Sequence, residues 1–213
     1  MKSLFLFFTQ GEAGAPQYLS RTGEQGAEAL SESIFTFLKD SLHLDLLSNI
    51  EARTKSLNED NMWKSFKDPT SLPNAIQASV GLCPQLLLLA GNDMRSLKTS
   101  EILANRMALP VCVDKRLDRH AGLQPEIGTL NDALMDLSNL LNNEINPPII
   151  LIGTSVNALL GWIKNHIPAN KYAEFEKILS ISSENDVIPS VLIAGFEKEE
   201  GQEKWFFDLP DIS

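Results

Sequence analysis

The residues of this chain that could do chemistry sit in four polar turns, and each turn follows an apolar run. Thr9-Gln10-Gly11-Glu12 follows Leu4 to Phe8, and Asn92 to Arg95 follows Gln85 to Ala90. Asp118-Arg119-His120 follows Val111 to Val113, and Thr154-Ser155 follows Ile149 to Ile152. In an open α/β sheet the functional groups gather beyond the carboxyl ends of the strands, so these turns are expected to converge. The chemistry they suggest is that of an anion. Arg95 and Arg119 offer guanidinium forks, and helix starts after Gly91 and Gly153 would add amide donors with partial positive charge. His120 is the histidine nearest the expected site, and Glu12, Asp93 or Asp118 could act as acid or base beside it.

Each feature also has a plainer reading. From Asp93 to His120 six basic residues face four acids, a local excess of positive charge in a chain of net charge −10. Of these, Lys98, Arg106 and Lys115 read as solvated surface charge. A lone histidine beside an arginine is more often solvated than catalytic, and His43 and His166 fall on helical segments away from the strand ends. Thr154-Ser155 lacks the glycine-flanked serine of a nucleophile elbow and is better explained as a helix cap. Gly11 to Gly14 lacks the spacing of a dinucleotide or P-loop motif.

The elements that must position these turns can be read from periodicity. Gln85 to Ala90, bounded by Pro84 and Gly91, and Ile149 to Ile152 read as parallel strands covered on both faces. Ser20 or Thr22 can cap a helix with Ala27, Leu30, Ile34 and Phe37/Leu38 inward, and Asn92 or Asp93 one with Leu97, Ile102, Leu103 and Met107 inward. Thr129 to Asp132 forms a capping box ahead of Leu130, Leu134, Leu137 and Leu141, which Asn146-Pro147-Pro148 ends. Val156, Leu159, Leu160 and Ile163 mark a helix after the last central strand. Val191, Ile193 and Phe196 alternate and return through Trp205 to Leu209 as a hairpin or two edge strands. From about 41 to 84 strand signals fade: Leu42, Leu44, Leu46, Leu47 and Ile50 suggest one helix, and the segment around Met62, Trp63 and Phe66 another.

Taken together, these segments resemble the histidine phosphatase (phosphoglycerate mutase-like) superfamily. There the first strand ends in Arg-His-Gly-Glu, where this chain has Thr9-Gln10-Gly11-Glu12. Leu19, Ser20, Gly23 and Ala27 follow in family order, with Gly26 where glutamine is usual. Arg95 to Ile102 matches the pattern of an arginine and then threonine-alanine-glutamate, and Leu109-Pro110 and Arg116-Leu117 also follow. Family members end the last central strand in Ser-His-Gly, and Thr154 is the nearest occupant of that histidine's place. The resemblance implies a three-layer α/β/α sandwich with a mostly parallel sheet. It also implies a site in which one histidine attacks phosphorus while a second histidine and two arginines hold the phosphoryl oxygens. Of these groups only Arg95 clearly survives.

The replacement of the nucleophile matters most. An imidazole nitrogen has a free lone pair, whereas that of the Gln10 amide is delocalised into its carbonyl. Losing the nucleophile of a hydrolase costs on the order of a million-fold in rate, or roughly 8 kcal/mol of barrier. The expectation is therefore a non-catalytic member of the fold, with Thr9, Gln10 and Thr154 as degenerate positions and no catalytic residue of the family kind. A weak anion pocket of Gln10, Glu12, Arg95, Arg119, His120, Thr154 and Ser155 would remain. The alternative is a phosphatase with a rearranged site around His120 and Arg95.

Composition bounds the rest. With 213 residues, 43% hydrophobic and 22% charged, the chain is expected to form one domain over 1–213, with a mostly helical insertion at about 41–84. Its 28 acidic against 18 basic side chains disfavour nucleic acid and anionic lipid. Ten of those acids, against three lysines, fall between Glu174 and Ser213, a candidate face for a protein partner. Cys83 and Cys112 are too few for a metal site or a disulfide framework, so no metal or cofactor is expected. The apolar core of the N-terminus is too short for a secretory segment and no run reaches membrane-span length, so the expected compartment is the cytoplasm. Expected partners are a protein and phosphate or a phosphorylated small molecule.

Overall fold

The computed structural model describes residues 2–10, 19–48, 50–51, 54, 83–118, 129–141, 147–184, 191–199 and 202–208. Its centre is a six-stranded sheet of β1 (Lys2–Thr9), β2 (Leu86–Ala90), β3 (Val111–Val113), β4 (Ile149–Thr154), β5 (Val191–Glu199) and β6 (Gln202–Asp208), in the order β3-β2-β4-β1-β5-β6. The first four strands in that order run parallel, and β5 and β6 form an antiparallel hairpin against β1. The helices are α1 (Arg21–Thr36), α2 (Met94–Met107), α3 (Leu130–Leu141), α4 (Val156–Ile163) and α5 (Ala169–Glu184).

Strand alternation divides the buried side chains between two faces. Phe5, Phe7, Leu87, Leu89, Ile150 and Ile152 point to the side covered by α3, α4 and α5. Leu6, Phe8, Leu86, Leu88 and Leu151 point to the side covered by α1 and α2. That gives three layers, α/β/α, with the opening strand buried on both faces as its unbroken run of apolar residues requires. On the first face Trp162 packs at a tilt against Phe7, at 5.1 Å, and meets Trp205 of β6 edge-on at 4.8 Å. These aromatic contacts fasten the antiparallel hairpin to the parallel core.

The caps form as their sequences require. Ser20 Oγ accepts from Gly23 N at 2.9 Å, Asp93 Oδ1 from Arg95 N at 3.0 Å, and Ser155 Oγ from Ala158 N at 3.3 Å. Thr129 and Asp132 close the capping box before α3. One reading needs correction and one helix went unread. Leu42 to Leu47 is not helical: α1 ends in a turn of π-helix, Phe37–Ser41, and His43 then takes a left-handed φ of 54°, which an α-helix cannot continue through. The charged helix α5 was not anticipated, because charges surround the apolar positions Phe175 and Leu179 that it buries. Residues 55–82, most of the expected insertion, lie outside the described residues. Cys83 and Cys112 are buried free thiols, and among the described residues no helix is long and apolar enough to cross a membrane.

Candidate functional site

Parallel pairing brings the ends of β1, β4 and β2 level. Thr9 lies opposite Thr154 and Ala90 opposite Gly153, and Gly91 N donates to the Gly153 carbonyl at 2.9 Å. Helices α2 and α4 start there, so their N-termini, the Gln10 turn and the loop after β3 share one end of the sheet. The described parts of the four sequence turns meet: Gln10 reaches Asp93 and Arg95, and Asp118 reaches Asp93, Ser96 and Ser155. Of the expected site residues, Glu12, Arg119 and His120 lie outside the described residues.

Gln10 occupies the centre of a polar clamp. Its amide orientation is assigned from its neighbours. With nitrogen toward Asp93 and oxygen toward Arg95, it donates to Asp93 Oδ1 at 3.0 Å and accepts from Arg95 Nη2 at 2.8 Å. Arg95 Nε lies 3.5 Å from the same Asp93 oxygen, so amide, carboxylate and guanidinium close a ring. The guanidinium of Arg95 is thus engaged by its own chain on two sides.

The two threonines are structural. Thr9 and Thr154 are buried, and the Thr154 hydroxyl donates to the Leu117 carbonyl, where it ties β4 to the short 3-10 turn Lys115–Asp118. Arg116 holds that turn from the other side: Nε is 3.1 Å and Nη2 2.7 Å from Asp114 Oδ2, and Nη1 is 2.5 Å from Asp136 Oδ2. Arg116 therefore faces α3 and not the site. Lys98 pairs with Glu101, and Arg106 pairs with Glu32 over the Phe35 ring, both on α2 away from the Gln10 clamp. Among the described basic side chains of this region, Arg95 is the one that bonds Gln10.

The turn anchored by Leu117 delivers Asp118, a residue the sequence presented only as one acid among several. Its Oδ2 accepts from Asp93 N at 2.8 Å, and its Oδ1 from Ser155 N at 3.0 Å and Ser96 Oγ at 2.9 Å. Burial pushes its carboxyl up from 3.8 to about 6; the nearby Asp93 charge adds to the rise, and the three donors oppose it. Gly91 leaves the room for this approach, since a Cβ there would collide with the carboxylate. Ser96 and Gly91 are the participants that sequence reasoning missed. A glycine after β2 and a small polar residue one place beyond Arg95 were the available signals.

Chemically, the described residues here can hold charge, and Ser96 is the hydroxyl paired with the Asp118 carboxylate. Gln10 is an amide, Thr154 is bonded to backbone, and Ser155 Oγ caps its helix while standing 3.5 Å from the Asp118 carbonyl. His43 is exposed just beyond the π-helical turn that ends α1, and His166 is set against Trp162 and Trp205. Among the described residues no cluster of three or more His, Cys, Asp or Glu is placed to bind a metal ion.

No family model and no curated protein matches the chain by sequence. Solved structures do. Phosphoglycerate mutase from Plasmodium falciparum aligns over 100% of this chain and 92% of its own, with a TM-score of 0.53 and 7% identity. A mycobacterial glucosyl-3-phosphoglycerate phosphatase aligns over the whole of both chains, with a TM-score of 0.48 and 12% identity. A phosphoserine phosphatase from Entamoeba histolytica aligns over 99% of this chain and 98% of its own, with a TM-score of 0.46 and 11% identity. The chain shares the α/β fold of the phosphoglycerate mutase structure.

Proposed function

We propose that this chain is a non-catalytic protein of the histidine phosphatase fold, working through protein interaction or regulation in the cytoplasm. The observation that carries the reading is the Gln10 clamp. The Gln10 amide, which the sequence resemblance sets where the family has its nucleophile, is bonded to Asp93 on one side and Arg95 on the other, so it cannot release Arg95 without breaking the ring. The acidic stretch from Glu174 to Ser213 and the segment at about 41–84 are the candidate contact surfaces for a protein partner, on a chain acting as one domain. Any binding of phosphate or a phosphorylated small molecule is weak and centred on Arg95. The test is hydrolysis of a generic aryl phosphate, with Arg95→Ala as the control. No turnover above the buffer blank is expected.

The competing reading, a phosphatase with a rearranged site, draws on one observation. A carboxyl pushed up to about 6 lies where a general acid of near-neutral pKa would be useful. Turnover abolished by Arg95→Ala would establish that reading and end the first.

A further inference from the structure

We propose that Asp118 is the site's own anionic ligand, a carboxylate built into the cradle between the starts of α2 and α4 that keeps external phosphate from those donors. The donors come from separate elements: the Asp93 amide and Ser96 hydroxyl at the start of α2, and the Ser155 amide at the start of α4. Amides at helix starts are the groups that ordinarily hold phosphate. Here each is turned on a side chain of the same protein, at 2.8 to 3.0 Å.

The carboxylate is also held in place and not merely near. Thr154 grips the Leu117 carbonyl, Leu117 is fully buried, and Arg116 fixes Asp114 at the head of the turn. The cradle is cut to fit: at Gly91 any side chain would strike the carboxylate. An incoming phosphate would meet the negative charges of Asp118 and Asp93 together, with the guanidinium of Arg95 already bonded to Gln10. Binding at those amides therefore requires Asp118 to leave.

The inference stands whether or not the chain turns over substrate. Turnover by the wild type would overturn the proposed function and leave this untouched. The experiment uses the full chain and inorganic phosphate at pH 7.5 and constant ionic strength. Calorimetric titration of Asp118→Ala should show phosphate binding at least about tenfold tighter than wild type, because a like charge leaves and charge-accepting donors are freed. In parallel, the backbone amide resonances of Asp93 and Ser155 in the wild type should stay unmoved by phosphate. A folded Asp118→Ala protein that binds phosphate no tighter than wild type overturns the proposal. So does a saturable shift of those two wild-type resonances, and that measurement decides alone if the variant fails to fold.

Discussion

Replacing Asp118 by asparagine should change how stability depends on pH. In the folded chain burial pushes this carboxyl up to about 6, against an ordinary 3.8, so the folded state holds its proton more tightly than the unfolded state does. Below 3.8 both states are protonated and the group is neutral to stability. As pH rises from there to about 6, the unfolded chain ionises first and the folded protein loses stability; above about 6 the loss is complete. At about 1.4 kcal/mol per pH unit, the loss across that window is about 3 kcal/mol. Asparagine copies the protonated form's shape and cannot titrate. Its cost, chiefly an amide NH2 set against one of the Asp93 and Ser155 N–H donors, should not vary with pH. Urea unfolding of both proteins at intervals from pH 4 to 7.5 isolates the group, because every other titration is shared. The stability of wild type relative to Asp118→Asn should fall by about 2 kcal/mol as pH rises across that interval, the rest of the loss lying below pH 4. A relative stability that rises with pH would refute the reasoning, since the three hydrogen bonds would then outweigh desolvation.

Gly91→Ala places a methyl group against the Asp118 carboxylate and should cost about 2 kcal/mol in urea unfolding. Combined with Asp118→Ala it should be far from additive, because the second change removes the group that is struck. Arg116→Met leaves the Asp114 carboxylate, 2% exposed, without its guanidinium, and should cost about 3 kcal/mol by the same measurement. Asp136→Asn removes only the partner that is 58% exposed and should stay within about 0.5 kcal/mol of wild type.

The central fold was legible because parallel strands buried on two faces appear as unbroken apolar runs. Leu4 to Phe8, Gln85 to Ala90 and Ile149 to Ile152 all became neighbouring strands in the sheet core. The caps were legible because Ser20, Asp93, Thr129 and Ser155 act on residues two or three places away. Helix α5 was hidden because, among its described side chains, burial is confined to Phe175 and Leu179. The Leu42 to Leu47 stretch misled because its leucines suggested an apolar stripe while His43 broke the backbone. At the site, the meeting of Gln10 and Arg95 followed from topology. The role of Asp118 did not, because its environment is set by residues 22 to 37 positions away, among them Ser96 and Ser155. No local pattern encodes the burial of one carboxylate among several.

A crystal structure of the wild-type chain soaked in vanadate at neutral pH tests the central claim most directly. Gln10 should remain bonded to Asp93 and Arg95 and the Asp118 carboxylate should remain on the Asp93 and Ser155 amides, with any vanadate confined to the outer side of Arg95. Vanadate covalently bonded in line to a side chain of the turn after β1, with Asp118 displaced, would contradict it.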